Sequence, residues 1–191
     1  MKLLTTIALF ACSVLAGCLS KEPVQTARLY RPALSEITAL GSLGTRPLRF
    51  DGVRHPVEID SHITWRTSAT ELHKEDLNLW ARRPAELLDE RLCDLIFGFG
   101  GFREVTVHGG AALQVQLVVC EGDVSGPEAL AVVELILDLE DGNDVHHRTR
   151  LRVEEPLRTT TAEGLAEATG RALSVVAERA SEWMRSRLAT L

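Results

Sequence analysis

Two strand-length segments near residue 142 place the strongest constraint on how this chain folds. Leu130–Glu140 and His146–Val153 flank an Asp-Gly-Asn-Asp sequence, whose residue types favour the tight turn of a β-hairpin. One antiparallel register pairs opposite charges on one face of the hairpin and apolar residues on the other. The charged pairs are Asp138–Arg148 and Glu134–Arg152, and the apolar pairs are Leu135–Leu151 and Val133–Val153. A slip by one residue would lose the charged pairs and the apolar pairs together. The sequence therefore predicts this hairpin, and we interpret its charged side as a solvated sheet face.

Other segments with strand character indicate that the hairpin belongs to a larger sheet. Val57–Arg66 has mostly apolar residues at odd positions and polar residues at even positions, which is the period of a strand with one buried face. Leu113–Val119 alternates in the same way. Shorter strands are predicted at Glu36–Leu40, Pro47–Val53 and Glu104–His108. Together these segments predict a sheet that is mainly antiparallel or mixed.

Helical patterns occupy the segments between the predicted strands. Thr70–Asn78 is compatible with a short helix. Pro84 suits the first turn of a second helix. The spacing of Leu88 and Leu92 continues this helix to about Phe97, where glycines at positions 98, 100 and 101 end it.

A long amphipathic helix is predicted at the C-terminus. The sequence Thr-Thr-Ala-Glu at 160–163 fits a capping box. An apolar stripe at helical spacing follows it, formed by Leu165, Ala172, Val176, Trp183 and Leu188. Such a stripe is far more often core than binding groove. The predicted fold class is therefore α+β: a single domain whose mainly antiparallel or mixed β-sheet packs against a central helix and this C-terminal helix.

The first 18 residues carry the features of an export signal. Lys2 precedes a short apolar run that has the proportions of a secretory signal peptide and is too short to span a bilayer. The run ends in Leu-Ala-Gly-Cys at 15–18, which resembles the bacterial lipobox, whose cysteine is acylated. We predict a lipoprotein signal peptide over 1–17, a lipidated Cys18 (palmitate among its chains) with a tether over 18–33, and a folded domain over 34–191. A plain signal peptide with a chance cysteine is the alternative.

The charge balance and the residues after Cys18 bear on partners and location. Lys and Arg number 21 and Asp and Glu number 27, a formal net charge of −6 without a basic cluster. Nucleic-acid binding is therefore not expected, because it needs a concentrated basic surface. The expected membrane contact is the N-terminal lipid. Leu19 and Ser20, rather than Asp, follow Cys18, which favours the outer membrane of a bacterial cell envelope, facing the periplasm.

Two cysteines lie beyond the lipobox. Cys93 falls in the predicted central helix and Cys120 at the end of a predicted strand. An exported compartment permits a disulfide between them, but buried free thiols are also common. Both alternatives stay open, and the spacing matches no redox or zinc motif.

The sequence lacks the patterns that carry catalysis. His146 and His147 are adjacent, so on a strand they point to opposite faces, and no HExxH motif occurs. Ser61 and Ser68 lack the GxSxG context of a nucleophile elbow. The glycines after residue 97 lack the Lys-Ser/Thr of a phosphate loop. We therefore predict no catalytic residues, no metal site and no cofactor, so that the protein is not an enzyme; an exported hydrolase would need a deep polar pocket.

A resemblance to a known family rests on the central part of the chain. An apolar strand ends in Ile63, Trp65 and Arg66, and a Trp80-Ala-x-x-Pro84 turn then opens the leucine-bearing helix. The sequence Gly-Gly-Phe-x-x-Val at 100–105 leads into the next strand. In this order, behind a lipobox, these features resemble the ABC-type transport auxiliary lipoprotein family, which includes the paraquat-inducible lipoprotein of intermembrane lipid transport.

The resemblance implies an α+β lipoprotein domain that works in the periplasm with an ABC-type transporter. The partner would be the transporter's mammalian-cell-entry-type substrate-binding protein, and the role would be non-enzymatic support of lipid passage between membranes. Because some members form rings, a homo-oligomer is also expected. The alternative is an outer-membrane structural or assembly lipoprotein with protein partners and no transport role.

Four residues are singled out as candidate site residues. Cys18 is the predicted lipidation site, and Trp65, Arg66 and Trp80 are candidates for partner binding. For Trp80 we favour a buried packing role ahead of the proline-started helix, and for Trp65 a similar one. Arg66 is expected to be solvated or ion-paired rather than to bind a lipid headgroup.

Overall fold

A mixed β-sheet organises the part of the chain that the structure, a computed structural model, describes: residues 25–37, 46–99, 101–106, 110–143 and 145–189. These ranges contain eight strands and two α-helices. In chain order they are β1 (Arg28–Tyr30), β2 (Arg46–Arg54), β3 (His62–Arg66), β4 (Leu72–Trp80), α1 (Pro84–Cys93), β5 (Phe102–Glu104), β6 (Ala111–Asp123), β7 (Leu130–Glu140), β8 (His146–Pro156) and α2 (Ala162–Leu188). The predicted α+β class is confirmed.

Strand β6 is the branch point of the sheet. One edge of β6 pairs with β7 in antiparallel orientation along almost its whole length. The other edge is divided: β2 lies parallel to its first half, and β3 lies parallel to its last two residues. Strand β5 extends the sheet beyond β2, whereas β4 and then β1 extend it beyond β3. We call β6, β7 and β8 the hairpin block, and β1, β3 and β4 the wing.

The hairpin block confirms the predicted register. Glu134 pairs with Arg152 and Asp138 with Arg148, as the charge pattern predicts. Their side chains form ion pairs on the outer face of the sheet, at 3.2 Å from Arg152 Nη1 to Glu134 Oε2 and 3.6 Å from Arg148 Nε to Asp138 Oδ1. The opposite, inner face carries apolar residues such as Leu135, which is fully buried.

Both helices pack on the inner face and close the core. Helix α1 begins at Pro84, as predicted, and continues into a π-helical turn over Asp94–Gly98. Helix α2 begins one residue later than the predicted capping box: the Thr161 hydroxyl accepts a hydrogen bond from Gly164 N at 3.1 Å. Among the described residues, no helix has the length and apolar character needed to cross a membrane.

The buried side chains form two hydrophobic clusters. The larger one joins α1, α2, β2 and the hairpin block. The smaller one lies between the wing and the first turns of α2, and its buried members are Ile63, Trp65, Trp80, Ala131, Ala162, Leu165, Ala166 and Ala168. The wing therefore has a core of its own, which is built around two tryptophans.

The predicted helix at Thr70–Asn78 is wrong, because Leu72–Trp80 is strand β4. Its sequence has no clean two-residue period, and the register between β3 and β4 shifts between His62 and Thr64. Pairing with β3 on one edge and β1 on the other fixes this segment as a strand. Tertiary pairing overrides the local preference.

Other predicted boundaries also differ from the structure. The strand expected over Val57–Arg66 begins only at His62, because a turn precedes it. The strand expected at Glu104–His108 lies earlier, at Phe102–Glu104, and residues 107–109 lie outside the described part. Glu36 and Ile37 are not in a strand, and residues 38–40 are outside the described part, as are the predicted signal peptide and Cys18.

Part of the predicted tether is folded. Arg28–Tyr30 forms β1, parallel to the end of β4. The chain then crosses α2, where Ser35 N donates to Ser174 Oγ at 2.9 Å. A Cβ atom at Gly170 would collide with the backbone of Ala33, so a glycine is needed at this crossing. This strap fixes β1 against the domain.

Candidate functional site

A cleft of about 470 Å³ lies between the wing and the N-terminus of α2. Its lining combines aromatic, charged and amide side chains from strands that are distant in sequence. These residues are Arg28, Tyr30, Trp65, Thr67, His73, Glu75, Asn78, Val124, Thr160, Thr161 and Ala162. We call it the wing cleft.

Trp65 forms a wall of the wing cleft and is held from two sides. Its backbone pairs with Gly122 of β6. A Cβ atom at Gly122 would lie 3.0 Å from Leu165 Cδ2 and closer still to the Trp65 ring, so only a glycine leaves room for this indole. The indole Nε1 donates to Glu75 Oε1 at 2.5 Å. The ring is therefore fixed in orientation by packing and by a charge-assisted hydrogen bond.

Glu75 also lines the wing cleft and accepts hydrogen bonds with both of its carboxylate oxygens. Its second carboxylate oxygen accepts a hydrogen bond from Asn78 Nδ2, so the carboxylate bridges an indole and an amide. A carboxylate has about four lone-pair sites, and these two bonds leave acceptor capacity for a donor from outside. Sequence reasoning missed Glu75 and Asn78, because the erroneous helix gave them no reason to face Trp65.

The N-terminus of α2 closes the other side of the cleft. Thr161 caps the helix and lines the cleft together with Thr160. The helix spans 27 residues, and its first turn carries the partial positive charge of the helix dipole. The cleft thus presents an acceptor on the wing and a weakly positive edge on the helix, and Arg28 and His73 of the wing also line it.

Arg66 lies on the opposite, outer face of the wing. Its Nε donates to Glu121 Oε1 at 2.6 Å, and its Nη2 donates to Oε2 at 3.3 Å, which is a bidentate pair with a buried glutamate. This hydrogen bond to Glu121 is the main reason that the pKa of Arg66 is raised. The residue joins the wing to β6 and is ion-paired, one of the two states that the sequence predicts.

The side chain of Trp80 is buried and is not accessible at the surface. Only 4% of its surface is exposed, and it belongs to the same cluster as Trp65. Its backbone N donates to Ser61 O at 2.7 Å, and the next residue, Ala81, donates to Tyr30 O at 2.7 Å. Burial on this scale favours the packing interpretation, because a partner could not reach the ring without opening the wing.

The structure therefore brings two of the three candidate residues together and separates the third. Trp65 and Trp80 share one cluster on the inner side, whereas Arg66 faces the outer side. The wing cleft can receive an extended peptide or a protruding side chain: aromatic walls supply apolar contact, and Glu75, Asn78 and Thr161 supply polar contacts. Within the described residues, no group of three or more His, Cys, Asp or Glu side chains is arranged to hold a metal ion.

Cys93 and Cys120 do not pair with each other. Both are free, with Cys93 half-buried and Cys120 buried. Burial is the main cause that raises the pKa of Cys93 to about 11 and that of Cys120 to about 12. Both thiols are therefore protonated at neutral pH and are weak nucleophiles.

The comparisons with known proteins give the class of the chain. Residues 47–180 match the model of the ABC-type transport auxiliary lipoprotein component, and the chain belongs to this family. It is accordingly a lipoprotein and an auxiliary component of ABC transport, with a membrane-anchored place in the cell envelope. No curated protein sequence matches the chain.

Solved structures support the fold. Protein XCC0632 from Xanthomonas campestris, of the DUF330 family, is 18% identical, covers 86% of this chain and 100% of its own length, and has a TM-score of 0.73. A second structure, of an uncharacterized protein, is 15% identical, covers 86% of this chain and 98% of its own, and has a TM-score of 0.58. At these identities the likeness concerns the fold alone.

Proposed function

We propose that this protein is a non-enzymatic, periplasm-facing lipoprotein that serves as the auxiliary component of an ABC-type intermembrane lipid transport system. The observation that carries the proposal is the family match over residues 47–180. The lipobox ending in Cys18 supports it independently, because it supplies the anchor that such a component needs. In this role the anchor lies in the outer membrane.

The proposed partner is the mammalian-cell-entry-type substrate-binding protein of the transporter, and the proposed contact surface is the wing cleft. Trp65 would contribute an apolar wall to that contact, and Glu75 would accept hydrogen bonds from the partner. Trp80 would contribute indirectly, because its packing in the smaller cluster stabilises the strands that carry Trp65 and Tyr30. Arg66 would act by fixing the wing to β6 through Glu121.

The proposal assigns the domain an adaptor role and no bond-making step. The thiols of Cys93 and Cys120 are protonated, which supports this assignment. Contact with a second copy of the chain is also proposed, since a ring would present several clefts to one transporter. Several weak contacts on one assembly would bind much more tightly than one.

The proposal is tested by capture from crosslinked membranes. The tagged lipoprotein would be expressed at its native level, crosslinked in intact cells and purified under denaturing conditions. A Cys18→Ala variant is the matched control, because it removes the anchor and leaves the domain intact. We expect the wild-type protein to recover the substrate-binding protein or its permease, and the variant to leave the membrane fraction and lose this recovery.

Two outcomes would contradict the proposal in different ways. Recovery of envelope-assembly proteins alone, with the protein at the membrane, would favour a structural or assembly lipoprotein. Persistent membrane attachment of Cys18→Ala would refute the proposed anchor.

A further inference from the structure

The outer face of the wing carries leucines where the outer face of the hairpin block carries charge. Leu29 on β1 is 66% exposed, and Leu72 and Leu77 on β4 are 53% and 37% exposed. The corresponding face of β8 carries Arg148, Arg150 and Arg152 instead. The two parts of one sheet face therefore differ in chemistry.

The strand registers place these leucines on one side. Leu29 pairs with Leu79, which in turn pairs with His62. Leu72 pairs with Arg66. On β3, the side chains of Ile63 and Trp65 are buried on the inner face, so those of His62 and Arg66 lie on the outer face. The β4 residues that pair with His62 and Arg66 lie on the same outer face. Leu77, two positions before Leu79, lies on the same side.

The charges on this face are largely neutralised. Lys74 Nζ lies 2.9 Å from Asp60 Oδ2, and Arg66 is held by Glu121. Asp76 adds one exposed carboxylate. An apolar face with paired charges suits zwitterionic lipid headgroups better than a strongly charged partner.

The position of the lipid anchor identifies the surface that this face meets. Arg28, the first residue of β1, is ten positions after Cys18. Covalent geometry limits the reach of ten residues to about 35 Å, even when they are fully extended. The strap that binds Ala33 and Ser35 to α2 fixes β1 to the domain, so this limit applies to the whole wing. A lipid on Cys18 therefore holds Leu29 at a high effective concentration beside the bilayer.

We propose that the outer face of the wing, Leu29, Leu72, Leu77 and Leu79, docks on the lipid surface in which Cys18 is anchored. The wing cleft opens on the inner side of the same strands. Docking therefore orients the cleft away from the membrane, toward a partner that approaches through the periplasm. The inference rests on lipidation of Cys18, and it does not depend on which protein occupies the cleft.

The test uses the full-length lipidated protein in vesicles of phosphatidylethanolamine with a minor share of phosphatidylglycerol. A trace of phosphatidylcholine carries a diazirine in its acyl chain, and irradiation labels the residues that contact lipid. Mass spectrometry of peptides then locates the label and verifies the acylation of Cys18. Val57 and Val145 are internal controls, because they are 83% and 47% exposed and lie outside the wing.

We expect the peptides that contain Leu29 and Leu77 to be labelled several-fold more than those that contain Val57 and Val145. A Leu29→Ser, Leu77→Ser double variant should lower the labelling of the Leu72 peptide several-fold, whereas Val57→Ser, Val145→Ser should not. Thermal melting checks that both variants fold.

Three results would overturn the inference. In the first, label is confined to the acylated peptide and the wing is labelled no more than Val57 and Val145. In the second, a photoreactive amino acid placed at Leu29 in a parallel reaction forms an adduct with another copy of the chain in place of lipid. In the third, the purified protein carries no acyl group on Cys18. The first two results do not bear on capture of a transporter partner, so the docking face can fail while the proposed function stands. The third result would remove the anchor that both proposals need.

Discussion

The hairpin block and the wing are parts of one sheet, but they are held together in different ways. In the hairpin block, β7 and β8 are joined by a short turn and pair along all eleven residues of each strand. In the wing, β1 has three residues and β3 has five, and they depend on parallel pairings with distant segments. The block is held mainly by a regular register, whereas the wing depends on a few specific side chains.

The two regions therefore differ in their capacity to carry a binding surface. The hairpin block is a regular sheet packed against a long helix, and its outer face carries ion pairs between neighbouring strands. The wing holds a cleft on one side and exposed leucines on the other. Four substitutions test this contrast.

Trp80→Ala should have the largest effect. The ring is buried in the smaller cluster, so its removal leaves a cavity and should lower the free energy of unfolding by about 3–5 kcal/mol. Trp183→Ala, at a half-buried position on α2, is the control and should cost less. Denaturant unfolding measures both. Unchanged stability of Trp80→Ala together with lost partner capture would assign Trp80 to partner contact instead.

Gly122→Ala should loosen the junction between the hairpin block and the wing. The new Cβ atom would displace the Trp65 ring and should cost about 1–3 kcal/mol of stability. Gly126→Ala is the control, since its Cβ atom would come no nearer than 3.9 Å to another group; the change should stay within about 0.5 kcal/mol. Equal melting temperatures for the two variants would show that Gly122 is not needed for the Trp65 ring.

Arg66→Leu should reveal the difference between ion pairs in the two regions. It leaves the buried Glu121 carboxylate without its bidentate partner and should cost about 1–3 kcal/mol. Arg148→Leu breaks an exposed pair with Asp138 in the hairpin block and should cost less than about 0.5 kcal/mol. If the two variants unfold at the same denaturant concentration, the wing does not depend on this pair.

Asp60→Asn should have the smallest effect and the clearest pH dependence. Burial raises the pKa of Asp60, but hydrogen bonds from His62 N and Lys74 outweigh it, so the pKa lies below its ordinary value of 3.8. Its contribution is therefore present above pH about 4 and is lost as the pH falls below that value. Because Asp60 is over a third exposed, we expect a loss below about 1 kcal/mol at pH 7.

Unfolding measured at pH 7 and at pH 3 checks this prediction. The difference between Asp60→Asn and the wild-type protein should shrink at the lower pH. A difference that stays constant would show that the Asp60 carboxylate has an ordinary pKa.

The same contrast explains how much of the molecule could be predicted from the sequence. The register of the hairpin was predicted to the residue, because its partners are close in sequence and both faces specify one pairing. Strand β8 continues to Pro156, three residues beyond the predicted end at Val153. Helix α1 was predicted from Pro84 and its leucines, and α2 from its stripe, with an error of one residue at the cap. These three elements could be predicted because the residues that determine each of them are close together in the sequence.

The wing could not be predicted in the same way. Strand β4 is set by its neighbours β1 and β3, and a shift in register hides its period. The cleft residues Glu75 and Asn78 therefore had no signal in the sequence, since their role exists only when β4 lies beside Trp65. Trp65 itself could be singled out, but its fit against Gly122 depends on a pairing between segments that lie more than 50 residues apart.

Site-specific photocrosslinking in living cells would show directly whether the wing cleft contacts the transporter. A photoreactive residue at His73, on the wall of the wing cleft, would be compared with one at Arg148, on the outer face of the hairpin block. We expect an adduct between the residue at position 73 and a mammalian-cell-entry-type substrate-binding protein, and none at position 148. Adducts of equal yield at both positions, or an adduct at Arg148 alone, would contradict the proposed contact.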